Sequence, residues 1–221
     1  MKTRVQFIFL TLLVFLEISS ACTHPKQLQG ILADAIATKK MQPGAKLDLL
    51  QLGIRYYYDS VLQKIRLDEN IDGTRITVIQ DYKRHKSYTI INGDKCTSSN
   101  LTQRFPDYPP QDIKSLGTFE FGGSRNKIQV DGYSFIFQGT SVQLFFNSKN
   151  CIPVAETAYI QMPNQLSLSA IAFSNMTASI TDPSVFNLPP VCSEFATTTL
   201  ERFDPIHHAR LRFAERHVRL H

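Results

Sequence analysis

Apolar and polar residues alternate with a period of two through the middle of the chain, and helical periodicity is scarce there. Residues 53–58 (GIRYYY) and 61–67 (VLQKIRL) flank Asp59-Ser60, a turn signal, and predict a hairpin. Residues 75–81 (RITVIQD) and 86–91 (KSYTII) give two more strands, after which Asn92-Gly93-Asp94 turns the chain. Residues 117–122, 127–130, 133–138 and 140–147 continue the pattern, punctuated by Gly122-Gly123, Asp131-Gly132 and Gly139. The last strands are expected at 155–161, 165–174 and 176–181. Short strands at this spacing predict an antiparallel sandwich or open barrel. The stretch 105–110 (FPDYPP) is not expected to be regular, because proline removes backbone donors, and Asn187-Leu188-Pro189-Pro190 is a second such break.

The two ends differ from this middle. A basic start, Met1-Lys2-Thr3-Arg4, precedes an apolar run from Phe7 to Leu16, and Ser19-Ser20-Ala21 supplies small residues for cleavage. The run is shorter than the roughly 20 apolar residues a membrane helix needs. It is expected to be a signal peptide, 1–21, and no transmembrane segment is predicted. A lipoprotein signal would place Leu three residues before Cys22, where Ser19 stands. Residues 22–194 are expected to form one β domain, and 195–221 an Arg- and His-rich tail, either a short helix or without regular structure. The formal charge of +5 is concentrated at these ends, and the middle is close to neutral, which argues against a nucleic-acid partner.

Four cysteines, Cys22, Cys96, Cys151 and Cys192, follow the signal peptide. An even count in a secreted chain implies two disulfides, and spacing alone leaves three connectivities open. Their wide spacing argues against structural zinc, whose ligands come in close pairs. Two sequons, at Asn100 and Asn175, predict exposed, N-glycosylated asparagines.

Signals for catalysis are absent: the chain has no Gly-x-Ser-x-Gly, no His-Glu-x-x-His and no phosphate-binding or dinucleotide glycine loop. It is not read as an enzyme. Outside the tail the only histidines are His24 and His85, both expected to be exposed. In the tail, His207-His208 and the pair His217/His221 would need a helix to hold a metal, and nothing orients them. Asp68-Glu69-Asn70-Ile71-Asp72-Gly73 matches the first six positions of an EF-hand loop, so Asp68, Asn70 and Asp72 are the candidate Ca²⁺ ligands. The twelfth position, where a bidentate Glu is required, is Ile79, and an acidic turn between strands is the simpler account. Tyr133, Phe135 and Phe137 share one strand face, as Leu144 and Phe146 do on the next. Such faces either close a core or line an apolar pocket.

Cys151-Ile152-Pro153-Val154-Ala155-Glu156-Thr157 resembles the C-x-P-V-x-E-T segment of ependymins and ependymin-related proteins. Asp182-Pro183-Ser184-Val185-Phe186, followed by Pro189-Pro190-Val191-Cys192, is similar to their D-P-S-V-F and P-P-x-C segments. The Cys-x-x-Pro at Cys22 and the turn at Lys95-Cys96 are similar too. The resemblance spans 22–194; an additional cysteine pair of vertebrate relatives is missing, and the tail has no counterpart. It implies two stacked antiparallel sheets forming a half-open barrel, like the lipoprotein carrier LolA, with an apolar cavity. It also implies a Ca²⁺-responsive glycoprotein, extracellular or lysosomal and often dimeric, with no catalytic residues. A lipid or other hydrophobic small molecule is the partner expected; the alternative is an extracellular-matrix or cell-adhesion role through a Ca²⁺- and glycan-bearing surface. The same resemblance pairs Cys22 with Cys151 and Cys96 with Cys192.

Overall fold

The computed structural model describes residues 24–106, 112–137 and 139–194. The expected signal peptide, Cys22 and the tail lie outside them. The strands are β1 (Gln27–Lys40), β2 (Leu47–Asp59), β3 (Lys64–Ile71), β4 (Thr74–Asp81), β5 (Lys86–Ile91), β6 (Lys95–Asn100), β7 (Lys114–Gly123), β8 (Asn126–Phe137), β9 (Thr140–Asn147), β10 (Pro153–Met162) and β11 (Gln165–Thr177). A 3₁₀ turn at Pro183–Phe186 and a short helix α1 (Val191–Glu194) follow.

All eleven strands form one antiparallel sheet in the order β6-β5-β4-β3-β2-β1-β11-β10-β9-β8-β7. The mainly β, half-open architecture is the expected one. The two layers anticipated as stacked sheets are the two arms of this one sheet. The reason is β1, which pairs with β2 from Gln27 to Lys39 and with β11 from Gln29 to Lys40, so the hydrogen-bonded ladder never breaks at the centre.

The arms bend toward each other. Ten flat gaps of ~4.8 Å would set β6 and β7 about 48 Å apart, as far as the link from Asn100 to Lys114 could reach fully stretched. In the described start of that link, Phe105 folds back onto Tyr58 and Tyr82, with ring centroids 5.1 Å from each. Curvature is also visible at His24. Its ring sits 5.2 Å from Tyr58 on β2 and 5.9 Å from Phe146 on β9, strands that four flat gaps would separate by about 19 Å.

The core follows the bend. Leu32, Ile36, Ile54, Tyr58, Leu67, Val78 and Ile171 form the main cluster on the concave face. Phe135, Val142, Leu144, Phe146 and Ala158 form a second, and Phe173 packs against both. On the convex face, Leu188, Val191 and Cys192 cover Ile79, Tyr88, Ile90 and Cys96. The Cys96–Cys192 disulfide fastens this cover to β6.

Three local expectations change. Residues 127–130 and 133–138 read as separate strands, yet β8 runs through Asp131-Gly132 without a turn. Gly132 is needed for space instead: a Cβ there would lie 2.9 Å from ring atoms of both Phe119 and Phe145. The expected last strand, 176–181, is only the end of β11 at Thr177. β1 carries no strand prediction, because Ala33, Ala35 and Ala37 blur its alternation and Asp34 interrupts its inward face.

Candidate functional site

The strand period assigns the aromatic candidates to the concave face. Phe135, Leu144 and Phe146 are buried there, and Tyr133 packs against them with its ring 6.0 Å from Phe146. Phe137, at the end of β8, is exposed. Burial, and secondarily the Asp131 charge, raises the Tyr133 phenol above its ordinary value, so it stays neutral there.

Polar groups interrupt this apolar interior at two places. On β1 and β11, the buried Ser169 hydroxyl donates to Asp34 at 2.7 Å, and Thr38 and Ser167 lie 3.4 Å apart. On β4 and β5, Gln80 accepts from the Tyr82 hydroxyl at 3.0 Å and stands opposite Ser87. The Ser87 hydroxyl is buried without a hydrogen-bond partner. Sequence reasoning missed these groups; the available signal was a lone Asp34 within an otherwise apolar alternating run.

His24, expected at the surface, is half-buried between the arms, whereas His85 is exposed. The tail histidines lie outside the described residues.

The acidic stretch 68–73 is the hairpin between β3 and β4. Asp72 and Gly73 both have positive φ, 50° and 81°, the geometry of a type I′ turn. Asp68, Asn70 and Asp72 fall on alternate positions, but the Asp68 carboxylate is engaged by Arg66 at 2.9 Å and by the Thr77 hydroxyl at 2.6 Å. Among the described residues no group of three His, Cys, Asp or Glu is placed to hold a metal.

Two open depressions lie on the convex face. One, about 470 Å³, sits between β3–β5 and the 3₁₀ turn, and its Lys64 and Arg84 both pair with Asp81. The other, about 570 Å³, spans β2–β4 and is lined by Gly53, Arg55, Arg66, Asp68, Asn70 and Arg75 among others.

Cys151 is disulfide-bonded, and Cys22, its expected partner, lies outside the described residues. Asn100 and Asn175 are both exposed. Asp182 caps the 3₁₀ turn by accepting from the Ser184 amide at 2.9 Å. Hydrogen bonds from Ser184 hold its carboxyl below the ordinary carboxylate value. No helix among the described residues is long and apolar enough to cross a membrane.

Among solved structures, the chain is similar to an uncharacterized conserved protein from Thermus thermophilus, at 9% identity and a TM-score of 0.49, covering 83% of this chain and 94% of that one. It is also similar to a LolA superfamily protein from Nitrosomonas europaea, at 10% identity and a TM-score of 0.35, covering 76% and 93%. No curated protein matches the chain. The family model for Ependymin matches residues 70–192, from the β3–β4 hairpin through the Cys151 segment to the disulfide at Cys192. That match spans more than half of the sequence, and the chain belongs to the ependymin family.

Proposed function

We propose that this protein is a secreted, glycosylated binding protein, not an enzyme, and that it holds a lipid or other hydrophobic small molecule between the arms of its sheet. The observation that carries this is the bend, which turns two apolar arms toward each other around Tyr58 and Phe146 while leaving the outer edges β6 and β7 unpaired with one another. The arms share a backbone ladder only at the β1–β11 centre, so they can part without breaking one. A ligand entering there gains burial worth ~25 cal/mol per Å² of apolar surface. The Ser87 hydroxyl supports a ligand with one polar end, since a buried unmade hydrogen bond costs about 1–3 kcal/mol.

Native mass spectrometry of the purified full chain, together with titration of a fluorescent fatty acid, tests this. A co-purifying apolar species and saturable one-site binding are expected, with Phe146→Asp abolishing both. An empty protein that also ignores the fatty acid refutes the proposal.

A homodimer is the second part of this reading, and the convex face supports it. Leu49, Ala37, Leu168, Tyr159, Ser141 and Ile136 stand directly opposite one another from β2 to β8. Within this row Leu49 is 69% and Ile136 78% exposed. A mostly apolar row of exposed side chains across the convex face favours association through the same face of a second copy. Leu49→Arg combined with Leu168→Arg is expected to shift sedimentation from dimer to monomer without loss of folding. An unchanged sedimentation profile counts against this face.

A further inference from the structure

We propose that the convex depression over β2–β4 is a binding site for an acidic saccharide, held by its anionic group between Arg55 and Arg75. The argument begins with register. Arg55 on β2 faces Asp68 on β3, which faces Thr77 on β4. One pleat further along, Asn70 on β3 faces Arg75 on β4, and the same register carries Gly53 of β2 opposite Asn70. The two arginines therefore stand on either side of β3, about 10 Å apart across the sheet and about 7 Å along it. Side chains of that length can converge on one small group above Asn70.

The lining favours an anion by a narrow margin, with Arg55, Arg66 and Arg75 set against the carboxylates of Asp68 and Glu69. Asp68 is occupied by Arg66, whose guanidinium also donates to the Val185 carbonyl at 2.5 Å. Thr77 closes the remaining side of that carboxylate. Among the described residues, the Arg55 and Arg75 guanidiniums have no hydrogen-bond or ion-pair partner, and both are exposed. The other convex depression is the contrast, because its cations share Asp81. Guanidinium forks match carboxylate and sulfate-like oxyanions in two-point contacts.

Gly53 makes the room. A Cβ there would meet nothing within 4 Å, so the floor of the depression is open above the sheet. Its volume, about 570 Å³, accommodates more than a bare ion. The exposed Asn70 amide offers a donor and an acceptor to sugar hydroxyls beside the anionic group.

Calorimetric titration of the full chain with a sulfated uronic-acid disaccharide, a neutral disaccharide and sodium sulfate, at low ionic strength, tests the site. The acidic disaccharide is expected to bind, the neutral one not, and sulfate at least tenfold more weakly. Arg55→Gln with Arg75→Gln should weaken acidic-disaccharide binding at least tenfold while fatty-acid binding is retained. Gly53→Leu should do the same by filling the floor, and thermal unfolding checks that each variant folds. Three results overturn the proposal: no binding of the acidic disaccharide, equal binding of sulfate (an adventitious ion only), or unchanged affinity in the arginine variant.

Discussion

Replacing Cys96 and Cys192 together by serine is expected to lower unfolding stability by about 2–5 kcal/mol and to reduce secreted yield. The bond closes a loop of 96 residues that contains β7 to β11. Chain-entropy models give long loops the larger contributions, ~4.7 kcal/mol for about 100 residues. The bond also acts locally. Cys192 and its neighbours Leu188 and Val191 cover Ile79 and Ile90 on the convex face. Releasing that cover would expose apolar surface and free Val185 from Arg66. Urea titration of the oxidised double variant against the parent measures the loss, and a change below about 1 kcal/mol would show that packing alone holds the segment.

Tyr58→Ala should be comparably damaging, at about 3–5 kcal/mol, the range for emptying a large aromatic site in a core. Tyr58 is 1% exposed, and its ring meets His24, Tyr56 and Phe105. Those contacts tie β2 to the chain entering β1 and to the link leaving β6, so one ring fastens three segments. Tyr58→Phe keeps the ring and removes the long hydrogen bond from its hydroxyl to the Pro106 carbonyl, 3.3 Å; a cost of about 1 kcal/mol is expected. Chemical denaturation of both variants separates the terms. Equal losses would mean that the hydroxyl, not the packed ring, fixes the link.

The candidate sites were legible to different depths. The aromatic faces of β8 and β9 could be read because strand side chains alternate, and Phe135, Leu144 and Phe146 do share a buried face. Asp68, Asn70 and Asp72 are candidate metal ligands by spacing, which records residue type but not partners. Arg66 follows from the sequence as a neighbour, but Thr77 reaches Asp68 only because β4 pairs with β3. The arginine pair was invisible for the same reason: Arg55 and Arg75 flank β3 only because β2 and β4 both pair with it.

Local structure follows from the order of residues alone. Period-2 alternation placed β3, β4, β5 and β9 to within a few residues, Asn92-Gly93 formed the turn between β5 and β6, and the Cys151 and Cys192 segments marked the family. These signals are local: each depends on backbone preference or side-chain direction within a handful of residues. Long-range pairing settled what alternation cannot encode. Gly132 reads as a turn residue until the rings of Phe119 and Phe145 are seen against it. His24 reads as surface until the bend brings Tyr58 and Phe146 to it. One sheet replaced two because β1, whose alanines hid its pattern, pairs on both edges. Pairing partners lie up to about 150 residues apart, and their choice comes from the summed burial of both arms, which no short window of sequence contains.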